Sequence, residues 1–430
     1  MSHPDFNVEI FQNEYLPDGG RRVDAVISVT SSGALDPGPA PAADAAEIII
    51  IDCSGSMSAP MTKIVAARKA TAAAVDAIRD GVAFAVVAGT GGAKPVFPEY
   101  AGLVTADART RQEAKAAVSR LQAGGGTAIG KWLKLARDMF VTRPAADLRH
   151  AILLTDGKNN ERSRTFDAAI QQCEGVFSCD CRGVGTDWNI DELRKVASTL
   201  LGTVDIVAEP EGLAADFEAM MQTAMGKEVA DVALRVRTPQ HATIKFVKQV
   251  EPAIEELTER RAEAGPQAGD YPTGAWGAES RHYHLCVEVE PAGVGQEMLA
   301  ARVSLVLNSS SGPEVLGQGL VKAIWTDDEG LSTRINRHVA HYTGQAELAE
   351  VIHDGLAARR AGDEETATAK LGRAVSLAHE SGNEDTARLL ARVVDVVDAA
   401  TGTVRLKSKV TDADEMTLDT RSSKTVRVKK

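Results

Sequence analysis

Short apolar runs alternate with segments of helical periodicity through the middle of this 430-residue chain. Uniformly apolar runs such as Ile48–Ile51 predict strands that are buried on both faces. The segments between the runs carry apolar residues at helical spacing, beginning with Lys63 to Arg79. Because alternating strands and helices form right-handed β-α-β connections, we predict an α/β domain over 46–226 with a doubly wound, mostly parallel sheet.

The segments on either side of this domain alternate apolar and polar residues, as half-buried strands do. Several of them lie within 227–330, where we predict an antiparallel β-sandwich. Two more lie within 1–33 and are expected to join the sheets of the sandwich, because a lone hairpin is marginal in water. A linker rich in Pro, Ala and Gly follows over 34–45, so the α/β domain is predicted to be inserted in the sandwich or attached to it.

The last hundred residues change character again. Residues 331–402 have amphipathic helical patterns with breaks at Gly362 and Gly382, which predict a small C-terminal helical bundle. Residues 403–430 are polar and Thr-rich and end in the basic stretch KTVRVKK, so we predict a flexible tail.

Charge and cysteine usage narrow the class of protein. The formal net charge is -12, from 48 basic and 60 acidic residues, so we expect neither nucleic acid nor an anionic membrane as a partner. No signal peptide or apolar stretch of membrane-spanning length is evident, which predicts a cytoplasmic protein. The five cysteines form no metal-binding or disulfide pattern and are expected to be reduced, apolar residues.

Three loops, each predicted to lie at the carboxyl end of a strand, carry oxygen-bearing side chains. Asp52, Ser54 and Ser56 follow the first buried strand, Thr127 lies in GGGTAIG, and Asp156 lies in TDG. In an open doubly wound sheet, ligands bind outside the carboxyl ends of the strands. Carboxylate and hydroxyl oxygens suit Mg2+, Mn2+ or Ca2+. The loops therefore predict a metal site, and the alternative is a domain in which these residues only form turns and helix caps.

The order of these motifs resembles the metal-ion-dependent adhesion site, or MIDAS, of von Willebrand factor type A (VWA) domains, which are Rossmann-like. The segment GVGTDWNIDELRKVAS resembles the late strand-to-helix segment of that family, and the chain is similar to its bacterial cytosolic members. The resemblance implies that Ser54, Ser56 and Thr127 coordinate Mg2+ through their hydroxyls. It also implies that Asp52 and Asp156 hold the metal directly or through water, with Mn2+ or Ca2+ as alternative ions.

Three functions are compatible with this site. The favoured hypothesis is a non-enzymatic adaptor or scaffold in which an Asp or Glu of a partner protein completes the metal shell, because the three loops contain no nucleophile or general base. The first alternative is a VWA subunit that assists an AAA+ ATPase or a chelatase-like complex. A Mg2+-dependent hydrolase is the least favoured alternative.

The Thr-rich tail suggests regulation by phosphorylation. Thr411 has Asp414 at plus three, and Thr417 follows several acidic residues. A Ser/Thr kinase that acts on the tail and a forkhead-associated protein that reads phosphothreonine are candidate partners. The alternative is an unmodified, solvated tail.

Overall fold

The computed structural model of the chain describes residues 4–32, 44–309 and 312–428. Two compact units divide these residues. One unit contains residues 44–230, and the other joins residues 4–32 to the chain from 231 onward. The predicted linker over 34–45 lies outside the described residues except for Asp44 and Ala45.

Strands form the described part of the N-terminal segment. They are β1 Asp5–Gln12, β2 Tyr15–Leu16 and β3 Arg22–Ser32. β1 and β3 pair antiparallel, with Val8 opposite Val29 at the middle of the register.

Strands and helices alternate in the unit of residues 44–230. The strands are β4 Ala45–Asp52, β5 Ala83–Gly89, β6 Ala93–Phe97, β7 Val104–Thr105, β8 Leu148–Thr155, β9 Ser178–Val184 and β10 Val204–Val207. The helices are α1 Thr62–Ala77, α2 Ala108–Val118, α3 Ile129–Val141, α4 Ser163–Cys173, α5 Ile190–Thr199 and α6 Leu213–Met225. The predicted doubly wound α/β fold is confirmed.

The sheet of this unit has the strand order β10-β9-β8-β4-β5-β6, and β7 also pairs with β5. The pairs from β10 to β5 are parallel, whereas β6 and β7 run antiparallel to β5. β4 is central and all eight of its residues are buried, as the uniform run Ile48–Ile51 predicts. The chain continues from β4 to β5 on one side and later returns to β8 on the other, so the switch point lies between β4 and β8.

Eight strands follow. They are β11 Lys227–Arg237, β12 Ala242–Glu251, β13 Glu255–Glu256, β14 Ala262–Gly265, β15 Ala268–Gly277, β16 Ser280–Val289, β17 Glu297–Ser309 and β18 Gly312–Trp325. One sheet has the order β1-β3-β16-β12-β13, and the other has the order β14-β15-β11-β17-β18-β2. The N-terminal strands therefore complete both sheets.

Two glycines let the sheets of this sandwich approach each other closely. A Cβ built on Gly317 would lie 2.7 Å from Val8 Cγ2, and one on Gly319 would collide with Ile10. Both glycines lie on β18 and both apolar partners lie on β1. The absence of a side chain on β18 therefore leaves room for the apolar face of β1.

The C-terminal part begins with four helices and ends with a β-hairpin and a last helix. It contains α7 Glu329–Ser332, α8 Arg337–Ala361, α9 Glu364–Ser381, α10 Glu384–Val393, β19 Val394–Asp398, β20 Thr403–Leu406 and α11 Asp412–Arg421. β19 and β20 form an antiparallel hairpin, so the predicted bundle is not helical to residue 402. Among the described residues, no helix is both long and apolar enough to cross a membrane.

The prediction of a flexible tail over 403–430 is wrong for its described residues. Leu418 of α11 is fully buried in the apolar core of the C-terminal helices. The charged residues of α11 are paired with α8: Arg359 bonds Glu415 at 2.7 Å and Arg360 bonds Asp419 at 2.9 Å. The polar composition of this segment predicts disorder. The helix is ordered nevertheless, because arginines far away in the sequence pair with its acidic side chains.

A charged triad of one buried and two partly buried side chains joins three strands of the α/β sheet. His150 on β8 contacts Glu47 Oε1 on β4 at 2.8 Å through Nδ1, and Asp180 Oδ2 on β9 at 3.0 Å through Nε2. Burial alone would lower the pKa of His150, but the two carboxylates outweigh burial and raise it to about 10. The imidazole is therefore protonated at neutral pH and links the three strands.

We predict that His150→Gln lowers the free energy of unfolding at neutral pH by about 3–5 kcal/mol, because it leaves buried carboxylates without their cation. The folded pKa is raised above the ordinary value of 6.5, so this stabilisation is complete below about pH 6.5. It is lost as the pH rises towards 10, by at most about 1.4 kcal/mol per pH unit. Urea unfolding of both proteins across this range measures the difference.

The matched control is His379→Gln, because His379 is exposed on α9. This change should lower the free energy of unfolding by less than about 0.5 kcal/mol. A destabilisation by His150→Gln that is constant between pH 6.5 and 10 would contradict a protonated His150.

Candidate metal centre

Two of the predicted loops meet because their strands are neighbours. β4 ends at Asp52 and β8 ends at Thr155, so the residues that follow each strand lie at the same edge of the sheet. Ser54 Oγ and Ser56 Oγ are 2.9 Å apart, and Ser56 Oγ donates to Asp156 Oδ1 at 2.6 Å. A turn of 3-10 helix over Gly55–Ser58 directs the serines to this edge.

The third loop, GGGTAIG, joins α2 to α3 and does not follow a strand, so its predicted position at a strand end is wrong. It nevertheless brings Thr127 to the same point. A Cβ built on Gly157 would lie 3.2 Å from Thr127 Oγ1, 3.3 Å from Ser56 Oγ and 4.0 Å from Ser54 Oγ. Three hydroxyls from two loops therefore converge beside Gly157 of the TDG loop. Thr127 and Ser54 are buried, and Ser56 is partly exposed. The hydroxyls thus form a cradle that a larger residue at position 157 would obstruct.

Asp52 lies beneath the hydroxyls and is fully buried. Its Oδ1 accepts from the backbone N–H of Ser54 at 2.7 Å, and its Oδ2 accepts from Thr155 Oγ1 at 2.5 Å. Burial raises the pKa of Asp52, while the hydrogen bonds from Ser54 and Thr155 oppose that rise. A cation beside this carboxylate would favour its charged form.

Asp156 is shared between a hydroxyl and a cation of the protein itself. Its Oδ2 accepts from Lys63 Nζ at 2.8 Å, and Lys63 Nζ also lies 3.5 Å from Asp187 Oδ2. Asp156 is fully buried and the Lys63 side chain is 8% exposed, whereas that of Asp187 is 73% exposed. Burial opposes the charge on Lys63, but the bonds to Asp156 and Asp187 outweigh burial and raise its pKa. The site therefore contains a resident ammonium group.

The position of Thr127 is fixed by its neighbours. Its N–H donates to Asn160 Oδ1 and its carbonyl accepts from the Asn160 N–H, both at 2.8 Å. Trp132 on α3 donates from Nε1 to the Thr90 carbonyl at 2.7 Å, and its ring lies directly over Gly89 at the end of β5. These contacts hold the start of α3 against the sheet, so Thr127 is positioned by Asn160 and by the buried ring of Trp132.

The donor set fits a hard divalent cation. All five side chains offer oxygen, and three are neutral hydroxyls. Mg2+ can be bound by as few as two carboxylates, because it usually keeps several of its waters as ligands. No group of three or more His, Cys, Asp and Glu side chains in the described ranges could hold a metal ion. This agrees with a site that contains only two carboxylates and depends on hydroxyls for its remaining protein ligands.

Sequence reasoning missed several residues of this centre. Thr155 lies in the TDG motif, and its β-strand position next to Asp156 was a usable signal. Lys63 and Asn160 had no such signal, because their roles depend on contacts with Asp156 and Thr127 that only the fold creates.

Other residues in segments considered above have structural contacts of their own. Trp188 is buried over Gly183 and donates to the Gly185 carbonyl at 2.9 Å, so it is a packing residue. All five cysteines are buried free thiols, as predicted. Thr411 is exposed and caps α11, whereas Thr417 is buried and donates to the Ala413 carbonyl at 2.6 Å. Phosphorylation of the tail stays a prediction, and Thr411 is the more accessible of the two sites.

Comparison with known proteins places this geometry in context. Residues 46–206 match the model of the von Willebrand factor type A domain, and residues 376–422 match that of the von Willebrand factor type A C-terminal domain. A von Willebrand factor type A protein from Catenulispora acidiphila is 54% identical and has a TM-score of 0.94, over 99% of this chain and 98% of that one.

Two further relatives are more distant. VWA2, the ArnB paralog from Sulfolobus acidocaldarius, has a TM-score of 0.60 at 13% identity over 97% of this chain and 98% of that chain, a likeness in fold alone. The Synechocystis protein sll0103 is 27% identical over 217 residues, which are 49% of each chain. This chain thus spans about half the length of that curated relative.

We predict that Thr127→Val weakens Mg2+ binding at least tenfold, or about 1.4 kcal/mol, because valine keeps the shape of threonine and removes one donor oxygen. Isothermal titration with MgCl2 measures the change. Thr71→Val is the matched control, since Thr71 is buried on α1 and its hydroxyl donates to the Ala67 carbonyl of the same helix. Equal weakening by both substitutions would contradict a role of Thr127 in metal binding.

We also predict that Lys63→Met raises the affinity for Mg2+ at least tenfold. Two unit charges 4 Å apart interact by about 4 kcal/mol at an effective dielectric constant of 20, so an ammonium group beside Asp156 opposes an incoming cation. The same titration measures the gain, and Lys69→Met, at an exposed position of α1, is the charge-matched control. An unchanged or lower affinity would mean that Lys63 only positions Asp156.

Proposed function

This chain belongs to the von Willebrand factor type A family, and we propose that it is a non-enzymatic adaptor that binds an acidic side chain of a partner protein through Mg2+. The ion is held by the oxygen donors of Asp52, Ser54, Ser56, Thr127 and Asp156. The observation that carries the proposal is the convergence of three hydroxyls beside Gly157, with a buried carboxylate at the end of each of two adjacent strands.

The charges of the site favour an anionic ligand. Mg2+ bound there supplies two positive charges and coordination positions open to an exchangeable ligand. Lys63 adds a third positive charge, and Asp52 and Asp156 supply two negative ones. Asp187 is largely exposed, so water screens its charge. The loaded site thus has an excess of one positive charge, which the carboxylate of a partner Asp or Glu neutralises.

The hydrogen bonds of the two carboxylates argue against hydrolysis. Both oxygens of Asp52 accept bonds, from Ser54 and Thr155, and both oxygens of Asp156 accept bonds, from Ser56 and Lys63. A general base needs a free lone pair aimed at the water that it activates. Each carboxylate oxygen keeps a second lone pair, which metal coordination would use, so neither carboxylate would be left to act as a general base. This supports a binding role over a Mg2+-dependent hydrolase.

The surface beside the centre also suits an acidic partner. Lys158, two residues after Asp156, is exposed in the TDG loop. Lys131, four residues after Thr127, is exposed and donates to the Gly91 carbonyl at 2.8 Å. Exposed cations around a ligand site accelerate association with an acidic surface and add specificity.

The proposal predicts that the tagged chain, used as bait in a lysate of its own host, retains a partner in Mg2+ and loses it in EDTA. Thr127→Val should lose the same partner, because it removes a metal ligand, while Thr71→Val should retain it. Substitution of one acidic residue of the partner should abolish binding. A partner retained equally in EDTA would contradict the metal-bridged mode, and an AAA+ ATPase as partner would favour the chelatase-like alternative.

A further inference from the structure

A cluster of arginines lines a cavity of about 240 Å3 on the sheet that contains β11 and β17. Arg235 and Arg237 lie two residues apart on β11 and therefore share one face of the sheet. Arg302 and Ser304 on β17 lie opposite them, and the segment that joins β14 to β15 completes the wall. Val236 and Val303 between them are fully buried, which places the arginines on the face away from the core.

Two of the arginines are directly opposite each other. Arg237 pairs in register with Arg302, and residues so placed have Cβ atoms about 4.5–5.5 Å apart. Like charges at such positions destabilise a sheet. Both side chains are exposed, and the described residues provide no hydrogen bond or ion pair for either guanidinium group. The fold thus maintains a repulsive pair that nothing in the described chain neutralises.

The third arginine is held in place by an acidic residue. Arg235 forms a bidentate ion pair with Asp270 on β15, with Nε at 2.7 Å from Oδ1 and the terminal nitrogen at 2.8 Å from Oδ2. Both side chains are largely buried, at 24% and 14% exposure. Arg235 therefore forms a rigid wall of the cavity, and the three arginines with Asp270 leave two positive charges without a counterion.

We propose that this cavity binds a phosphoryl dianion, either as free phosphate or on a phosphorylated side chain. Two unpaired guanidinium groups match the two negative charges of a phosphate monoester, and a guanidinium fork matches its oxygen atoms. The hydroxyl of Ser304 lines the cavity and adds a neutral donor. The cavity also far exceeds the space of about 10–15 Å3 that one water needs, so a phosphate group fits with part of its hydration.

A phosphate suits the cavity better than a carboxylate does. A carboxylate carries one charge and would leave one of the opposed arginines unneutralised. A phosphate offers enough oxygen atoms to accept from Arg237 and Arg302 together, which removes the repulsion between them. The cavity contains none of the proposed metal-binding residues, so a test of phosphate binding is independent of the proposed function.

Thermal unfolding of the full chain in EDTA, with inorganic phosphate added stepwise at constant ionic strength with NaCl, tests the site. Phosphate should raise the unfolding temperature of the wild-type chain, because it binds only the folded state. Arg237→Gln/Arg302→Gln should reduce the apparent affinity at least tenfold. The control is Arg21→Gln/Arg334→Gln, two exposed arginines of the same unit without side-chain contacts among the described residues.

The double variant should unfold at the same or a higher temperature than the wild type without phosphate, since it removes a like-charge pair. This result separates lost binding from lost folding. A second titration with a phosphothreonine peptide and its unphosphorylated form identifies the source of the phosphoryl group. Binding of the phosphopeptide at least tenfold tighter than inorganic phosphate indicates a phosphorylated chain, and equal affinities indicate free phosphate; both support the site.

The proposal is overturned if neither phosphate nor phosphopeptide stabilises the wild-type chain beyond the NaCl control. It is also overturned if Arg237→Gln/Arg302→Gln responds to phosphate as the wild type does.

Discussion

The parallel pairing of β4 with β8 is the interaction on which the candidate metal centre depends. It sets Ile51 beside Leu154, so that the residues after each strand emerge at one edge of the sheet. The strand order reverses at this point, which is where ligands bind in open α/β sheets. Because β4 is buried along its whole length and β8 is buried over residues 151–155, Asp52 and Asp156 are anchored by a core that cannot shift without a large loss of burial.

Burial of two carboxylates at one edge of the sheet costs desolvation energy, which hydrogen bonds and an ion pair within the site offset. Thr155 and the Ser54 backbone satisfy Asp52, while Ser56 and Lys63 satisfy Asp156. Lys63 is the only cation in direct contact with these carboxylates among the described residues. It neutralises a buried carboxylate in the protein without metal, and we expect it also to weaken metal binding and to favour an anionic ligand. One side chain would thus link the stability of the fold to the selectivity of the site.

Local sequence predicted the strands and the ligand loops because their signals are contained within a few residues. The run Ile48–Ile51 indicates a buried strand in any context, and Asp52, Ser54 and Ser56 lie too close together to separate in the fold. Strand β15, with its Gly and Pro residues, and helix α11, with its acidic ones, were missed. Their order comes from partners far away in the sequence, such as Arg235 for Asp270 and Arg359 for Glu415. Lys63 was missed for the same reason.

The central claim is that three hydroxyls and two carboxylates at the β4–β8 edge hold a divalent cation. A crystal structure of the chain grown with Mn2+, with anomalous data collected at the manganese edge, tests it most directly. The account predicts one strong anomalous peak about 2.0–2.6 Å from the hydroxyl oxygens of Ser54, Ser56 and Thr127, the range of oxygen ligands around Mg2+ and Ca2+. An ordered site at full Mn2+ occupancy elsewhere, with none beside these hydroxyls, would contradict it.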